Sequence, residues 1–279
     1  MRDFLDELTE TAKKTVNKAY YEVAFHKPKV ANSVNLKQAI LQSRNIPIIT
    51  EIKGASPSKG IIRRDLVPEQ LALAMARGGA VGISVLTEPR HFGGSLSYLS
   101  RVREAVQLPL LMKDFVISPV QLDAAVQVGA NAVLLIQALF DRGYCECGVY
   151  EMIVAAHERN LEVLLETHNE AEFQHALKSE ADLVGINNRD LGTLQVDINI
   201  TKEILEKNGT GGKVVVSESG IGTANDLRFL LAAGAKAFLV GSAIMLSDDV
   251  EAKVRDLVQT PQDLLIQELE KTRMEKNPR

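Results

Sequence analysis

The chain has 279 residues, 46% hydrophobic and 24% charged, the balance of an ordinary globular protein and not of a disordered or fibrous one. Its net charge of −4, with no long basic run, argues against nucleic-acid binding. No apolar run approaches the roughly 18 residues of a membrane span, and Met1-Arg2-Asp3-Phe4-Leu5-Asp6-Glu7 is too acidic for a signal peptide, so a soluble, cytoplasmic protein is expected.

In chain order, residues 1–45 stand apart. Leu5, Leu8, Ala12 and Val16 recur at helical spacing, which predicts an amphipathic helix. A second helix is predicted through Leu36, Ile40 and Leu41, with Ser33 as its N-cap. Together they read as a helical extension packed on the main domain. From Pro47 onward, short apolar runs alternate with helix-length segments. Strands are predicted to begin near Ile48, Val81, Pro109, Ala132, Leu161, Leu183, Val214 and Ala237. They are rich in Val, Ile and Leu without alternation, as strands buried on both faces must be. N-cap signals at Ser118-Pro119, Thr167/Asn169 and Thr223 open several intervening helices. Such repetition means right-handed βαβ units and a parallel sheet. Cys145 and Cys147, one residue apart, suit neither a disulfide framework nor a zinc site.

A fourfold rhythm points to closure. Gly79-Ala80, Gly129-Ala130, Ala181-Asp182 and Gly234-Ala235 precede alternate strands, and positions 80, 130, 181 and 235 are 50, 51 and 54 residues apart. Each gap holds two βα units. An open doubly wound sheet is the alternative, but site residues spread over many strand ends favour an α/β (β/α)8 TIM barrel. The expected division is an extension over 1–45, the barrel over 46–258 and a helical tail over 259–279.

Polar residues close otherwise apolar strands: Glu51 and Lys53, Lys113 and Asp114, Glu166, Asn187 and Arg189, Glu218 and Ser219. In a barrel these tips converge on one mouth. Gathering unpaired charges there costs several kcal/mol each, so stability alone does not account for them. Lys113 and Glu166 leave odd strands two apart and are expected to face each other across the mouth without touching, as general acid and base. Glu51 and Lys53 share a face, so the carboxylate could tune the lysine while Lys53 holds an anion. Ser219-Gly220-Ile221-Gly222 and Gly241-Ser242, after the last two strands, read as a phosphate cradle. The loop over residues 54–60 reads as a small, basic lid. Phe92 and Phe115 could line an aryl pocket. The five histidines show no metal-ligand cluster, and neither a Rossmann fingerprint nor a Walker loop is present.

Glu51-Ile52-Lys53-Gly54-Ala55-Ser56-Pro57-Ser58, Leu86-Thr87-Glu88 with Phe92, Leu111-Met112-Lys113-Asp114-Phe115, Gly185-Ile186-Asn187-Asn188-Arg189-Asp190-Leu191 and Ser217-Glu218-Ser219-Gly220-Ile221 closely resemble indole-3-glycerol-phosphate synthase over nearly the whole chain. The resemblance implies a tryptophan-biosynthetic carboxy-lyase acting without a cofactor or metal. Its substrate would be a sugar phosphate bearing an anthranilate group, 1-(2-carboxyphenylamino)-1-deoxy-D-ribulose 5-phosphate. Carried over by position, Lys113 would be the general acid and Glu166 the general base, with Glu51 and Asn187 orienting them. Lys53, Ser56 and Arg189 would anchor anionic ends. Ser219, Gly220, Gly241 and Ser242 would hold phosphate, while Phe92, Phe115, Leu134 and Leu191 would line the aryl pocket. Neither nucleic acid nor membrane is expected as a partner, and the expected state is a monomer or weak homodimer. A sugar-phosphate isomerase on the same barrel would use two carboxylates or a cysteine–carboxylate pair, which Lys113 opposite Glu166 argues against. A non-catalytic phosphate-binding barrel would need the loops but not Glu51, Lys113 and Glu166 together.

Overall fold

The computed structural model describes residues 3–22, 35–56, 60–63 and 65–260. Eight parallel strands form a closed barrel: β1 Ile48–Ile52, β2 Gly82–Leu86, β3 Leu110–Lys113, β4 Ala132–Ile136, β5 Glu162–Thr167, β6 Leu183–Asn187, β7 Val214–Glu218 and β8 Ala237–Val240. Each strand pairs with its successor, and β8 returns to β1 with Phe238 opposite Ile48 and Val240 opposite Thr50. Closure decides for the barrel over the open sheet.

Strand parity splits the hydrophobic core in two. Ile48, Ile52, Ile83, Val85, Met112, Val163 and Val184 point outward, packing against the helical ring. Ile49, Leu111, Leu134, Leu164, Val216 and Leu239 point inward and fill the barrel. Because successive side chains alternate, a strand buried on both faces must be apolar at every position.

Helices between strands start and stop where the chain supplies caps. Ser118 with Gln121 forms a capping box ahead of Pro119–Val128, as Thr223 with Asp226 does ahead of Ala224–Ala233, and Asn169 caps Glu170–Lys178. Gly129 and Gly234 end their helices in the left-handed region, at φ 86° and 110°, which explains two points of the fourfold rhythm.

The N-terminal extension serves both ends of the barrel. Helix α1, Phe4–Asn17, opens with a capping box between Asp3 and Asp6, and buries Leu5, Leu8 and Ala12 against the interior cluster at the mouth. Helix α2, Leu36–Gln42, closes the opposite end with Leu36 and Ile40. Glu162, at the start of β5, accepts hydrogen bonds from the backbone amides of Leu36 and Lys37, a carboxylate at a helix N-terminus. Asn35 caps α2; Ser33 lies outside the described residues, as do 57–59 of the expected lid and 261–279 of the expected tail.

Candidate active site

The parity that packs the interior also arms the mouth. Two residues beyond Leu111, Leu164, Gly185 and Val216 on the same inward faces come Lys113, Glu166, Asn187 and Glu218. They meet at the floor of a cavity of about 430 Å³, a volume suited to a small-molecule ligand.

Lys113 and Glu166 are in direct contact, which corrects the expectation that they face each other without touching. Lys113 Nζ donates to Glu166 Oε2 at 3.0 Å and to Glu218 Oε2 at 2.8 Å. The lysine side chain reaches between β5 and β7, and the barrel's narrow interior leaves no gap for it to bridge. Burial alone would strip the Lys113 proton, but Glu166, Glu218 and Glu51 outweigh it and hold the ammonium above its ordinary range. Burial likewise opposes charge on Glu166, yet Lys113 and His168 together hold its carboxyl below the usual range. Burial dominates at Glu218, and with Glu166 repelling it the group is pushed up to about 7 despite Lys113. Like charges this close do not both ionise freely, so Glu166 keeps its charge and Glu218 is the readier of the two to take up a proton.

A second ion pair lies beside the first. Lys53 Nζ and Glu51 Oε1 are 2.6 Å apart, both on the same face of the chain leaving β1. Gly241 leaves space for them: a Cβ there would fall 2.3 Å from Glu51 Oε1 and 2.9 Å from Lys53 Nζ. Gly185 does the same for Glu218, whose Oε1 would lie 2.4 Å from an added Cβ. Ser56 is buried on the cavity wall with its hydroxyl unpartnered. Arg189 is held by its own amide on Asn187 Oδ1 at 3.0 Å and by Nη1 on the Leu194 carbonyl at 2.9 Å.

The two glycine loops flank the same cavity. Ser219 and Gly220 are consecutive left-handed residues, at φ 67° and 79°, and a side chain at Gly220 would strike Val196 Cγ1 at 2.6 Å. Asn188, wholly buried, fixes this turn by donating to Ser217 Oγ and to the Ser219 carbonyl, each at 3.1 Å. The amides of Gly222 and Thr223 are already taken by Asp226 in its capping box. Anion contacts from this loop therefore fall to the amides nearer Gly220. Gly241 and Ser242 open the short helix Ser242–Met245 on the neighbouring strand end, where leading amides have no partner within the helix.

The opposite wall is apolar. Phe92 and Phe115 lie with ring centroids 5.9 Å apart and planes tilted by 39°, beside Leu134 and Leu191. Glu88 shapes the loop carrying Phe92 by accepting from the amides of Arg90, His91 and Phe92 at 2.7–3.0 Å. Asp114 is a strand-end charge that serves the structure, since its carboxylate accepts from Thr87 Oγ1, Tyr21 Oη and the Phe115 amide. Phe4 and Leu8 of α1 complete the roof. A latch holds that helix down: Arg142 pairs with Asp3 and Asp6 at 2.7 and 3.0 Å, while Tyr144 Oη donates to Asp6.

All fifteen residues singled out from the sequence line this one cavity. Two neighbours of Glu166 have no role assigned from the sequence. Glu218 was visible as a strand-end charge, but only the fold shows it gripping Lys113. His168, past the end of β5, places Nε2 3.1 Å from Glu166 Oε1; no sequence spacing signals that. Among the described residues no group of three or more His, Cys, Asp or Glu is arranged to hold a metal ion, and no helix is long and apolar enough to cross a membrane.

The family model for indole-3-glycerol phosphate synthase matches residues 5–257. The chain belongs to the indole-3-glycerol phosphate synthase family. Membership makes it a decarboxylating lyase of tryptophan biosynthesis that acts on a small phosphorylated substrate. An indole-3-glycerol phosphate synthase from a Geobacillus species is 42% identical over 217 residues, 77% of this chain and 82% of that protein. The Haloarcula marismortui protein of the same name is 43% identical over 229 residues, with 81% and 82% covered. That of Carboxydothermus hydrogenoformans is 38% identical over 257 residues, covering 88% and 96%. Among solved structures, thiamine phosphate pyrophosphorylase from Pyrococcus furiosus superposes with a TM-score of 0.56 at 18% identity, over 84% of this chain and 99% of that one. That likeness is one of fold alone.

Proposed function

We propose that the cavity cyclises 1-(2-carboxyphenylamino)-1-deoxy-D-ribulose 5-phosphate to indole-3-glycerol phosphate, releasing one CO2 and one water. The observation that carries this reading is the Lys113 ammonium held between two buried carboxylates, with aromatic rings on one side and glycine loops on the other. The aryl ring lies against Phe92, Phe115, Leu134 and Leu191. The phosphate sits at Gly220, Gly241 and Ser242, with Ser219 at the turn between loop and floor. Lys53, Ser56 and Arg189 take the substrate's anionic groups, and the unpartnered Ser56 hydroxyl supports that role.

As the ring carbon bearing the carboxylate attacks the ketone carbon, Lys113 gives a proton to the ketone oxygen. The carboxylate then leaves as CO2. The carbon next to nitrogen in the new five-membered ring gives its proton to Glu166, the new hydroxyl takes a proton back from that carboxyl and departs as water, and Glu51 and Asn187 orient the groups. Glu218, gripping the same ammonium, is proposed as the site that returns a proton to Lys113, since it titrates near neutrality. A monomer or weak homodimer and the cytoplasm remain the proposed state and compartment on the sequence grounds above.

The test is direct. Purified protein mixed with the carboxyphenylamino ribulose phosphate is expected to generate indole fluorescence, and Glu166→Gln is expected to abolish most of it. Protein that binds this substrate and forms no indole product would sink the reading in favour of a phosphate-binding barrel.

A further inference from the structure

The proposed mechanism leaves one buried titratable side chain beside the reacting groups without a role. His168 follows β5 by one residue and is only 10% exposed. Its Nε2 lies 3.1 Å from Glu166 Oε1, on the oxygen that Lys113 does not use, close enough for strong attraction though off the line of a good hydrogen bond. Its Nδ1 lies 3.2 Å from Glu172 Oε2, in the first turn of Glu170–Lys178. Glu172 is itself fixed, accepting from the His168 amide at 2.8 Å and from Asn169 Nδ2. Carboxylate, imidazole and carboxylate thus form a line from the helix start to the cavity floor. The other charges facing this line are Lys113 and Glu218, beyond Glu166, and Asp190 from the loop after β6.

We propose that His168 is the positioning residue of the general base: as an imidazolium backed by Glu172, it holds Glu166 ionised and aimed into the cavity while Lys113 is engaged with substrate. This rests on the assignment of Glu166 as base. The need for a second cation follows from what the lysine itself must do. In the resting site Glu166 has two counter-charges, one on each oxygen. Once Lys113 turns to the ketone oxygen and gives up its proton, the carboxylate would be buried without a counter-charge, and a buried unpaired carboxylate protonates. A protonated Glu166 cannot accept the ring proton. His168 does not reach the substrate side, so its charge stays with the base throughout. Burial works against the imidazolium, but the two carboxylates outweigh it and raise the ring to about 9, so it is charged at neutral pH.

The competing account is that His168 and Glu172 merely close the first turn of their helix. The two accounts differ in what pH does. Four proteins are compared for kcat and KM across pH: wild type, His168→Gln, Glu172→Gln and, as a surface control, His175→Gln. Loss of the cation raises the proton affinity of Glu166, so the acid limb of kcat is expected to move up by about one pH unit or more in His168→Gln. At pH values below the shifted limb, kcat falls about tenfold for each pH unit of that shift while KM changes less. The limb of kcat should move further than that of kcat/KM, because only the complex has lost Lys113 as a counter-charge. Glu172→Gln should shift the limb the same way by less, and His175→Gln not at all. Nuclear magnetic resonance of the ring gives a reading independent of turnover: His168 should titrate well above a free histidine in wild type and fall in Glu172→Gln.

A folded His168→Gln protein with the wild-type kcat limb, even if its melting temperature drops, overturns the proposal. If that variant does not fold, Glu172→Gln decides in the same two directions. Glu166→Gln separates the levels: if it retains turnover, the base assignment itself fails; if it is inactive while His168→Gln keeps the wild-type limb, only the positioning role fails.

Discussion

Replacing Lys113 by Met keeps nearly the same side-chain length and removes one ammonium from between two carboxylates that are 3% and 2% exposed. The change therefore does two things. It deletes the proposed acid, which is expected to lower turnover by about 10²–10⁴-fold. It also strips a counter-charge from a buried cluster, and breaking such a pair costs about 3–5 kcal/mol against a total stability of about 5–15. Proton uptake sets where in that range the loss falls. Glu218 already titrates near 7, above its ordinary 4.5, and without Lys113 it rises further, so it goes neutral at little cost. A loss near 3 kcal/mol at pH 7 is the order expected.

The pH dependence follows with its sign. Lys113 is raised above its ordinary 10.5, so its contribution is complete below that value and is lost only as pH rises through the higher folded value. Glu166 is lowered below 4.5, so its contribution is present above 4.5 and lost as pH falls through the lower folded value. Both are in force at pH 7 in the wild type. In the variant Glu218 keeps a proton that the unfolded chain would release, and stability falls by about 1.4 kcal/mol per pH unit up to its new titration point. Urea denaturation at pH 6 and 8.5 should show the gap from wild type widening at the higher pH. Adding Glu218→Gln to Lys113→Met should restore most of the stability, because a neutral amide needs no counter-charge, and none of the turnover. Lys113→Arg should not restore turnover, since guanidinium keeps its proton and its planar fork presents donors in a different geometry from an ammonium. Turnover above about a tenth of wild type in Lys113→Met, with chemistry rate-limiting, would move the acid elsewhere. A stability gap that ignores pH would refute the account of the cluster.

Gly241→Val should raise KM for the phosphorylated substrate and lower kcat as well, because its Cβ would meet Glu51 and Lys53 as well as closing the phosphate loop; a folded variant with wild-type KM would place the phosphate elsewhere. Arg142→Ala releases α1 from the roof, so KM should rise by about fivefold at most with kcat nearly unchanged, exposed ion pairs being weak. Deleting residues 1–30 should raise KM further, and wild-type kinetics in the truncated protein would make the helix packing material only. Phe115→Ala should weaken binding of the aryl substrate far more than binding of inorganic phosphate, read by titration of each; equal losses would break the division into two walls.

The residues of the chain by themselves determined the strands, their number and most of the lining of the cavity. An all-apolar run that ends in a polar side chain at its last inward position marks both a buried strand and a place on the cavity wall, and Lys113, Glu166 and Asn187 lie there because strand periodicity and strand end are both local properties. Contacts across the barrel are not local. Whether Lys113 faces Glu166 at a distance or grips it depends on barrel width and strand stagger, and so does its hold on Glu218, which lies 105 residues away in the chain. The same holds for α1 and α2, adjacent in sequence yet bound at opposite ends of the barrel, where only the interior cluster and Glu162 tell them apart. His168 shows the limit most clearly: a lone histidine carries no pattern, and it gains a role only where folding brings Glu166 and Glu172 to its two nitrogens.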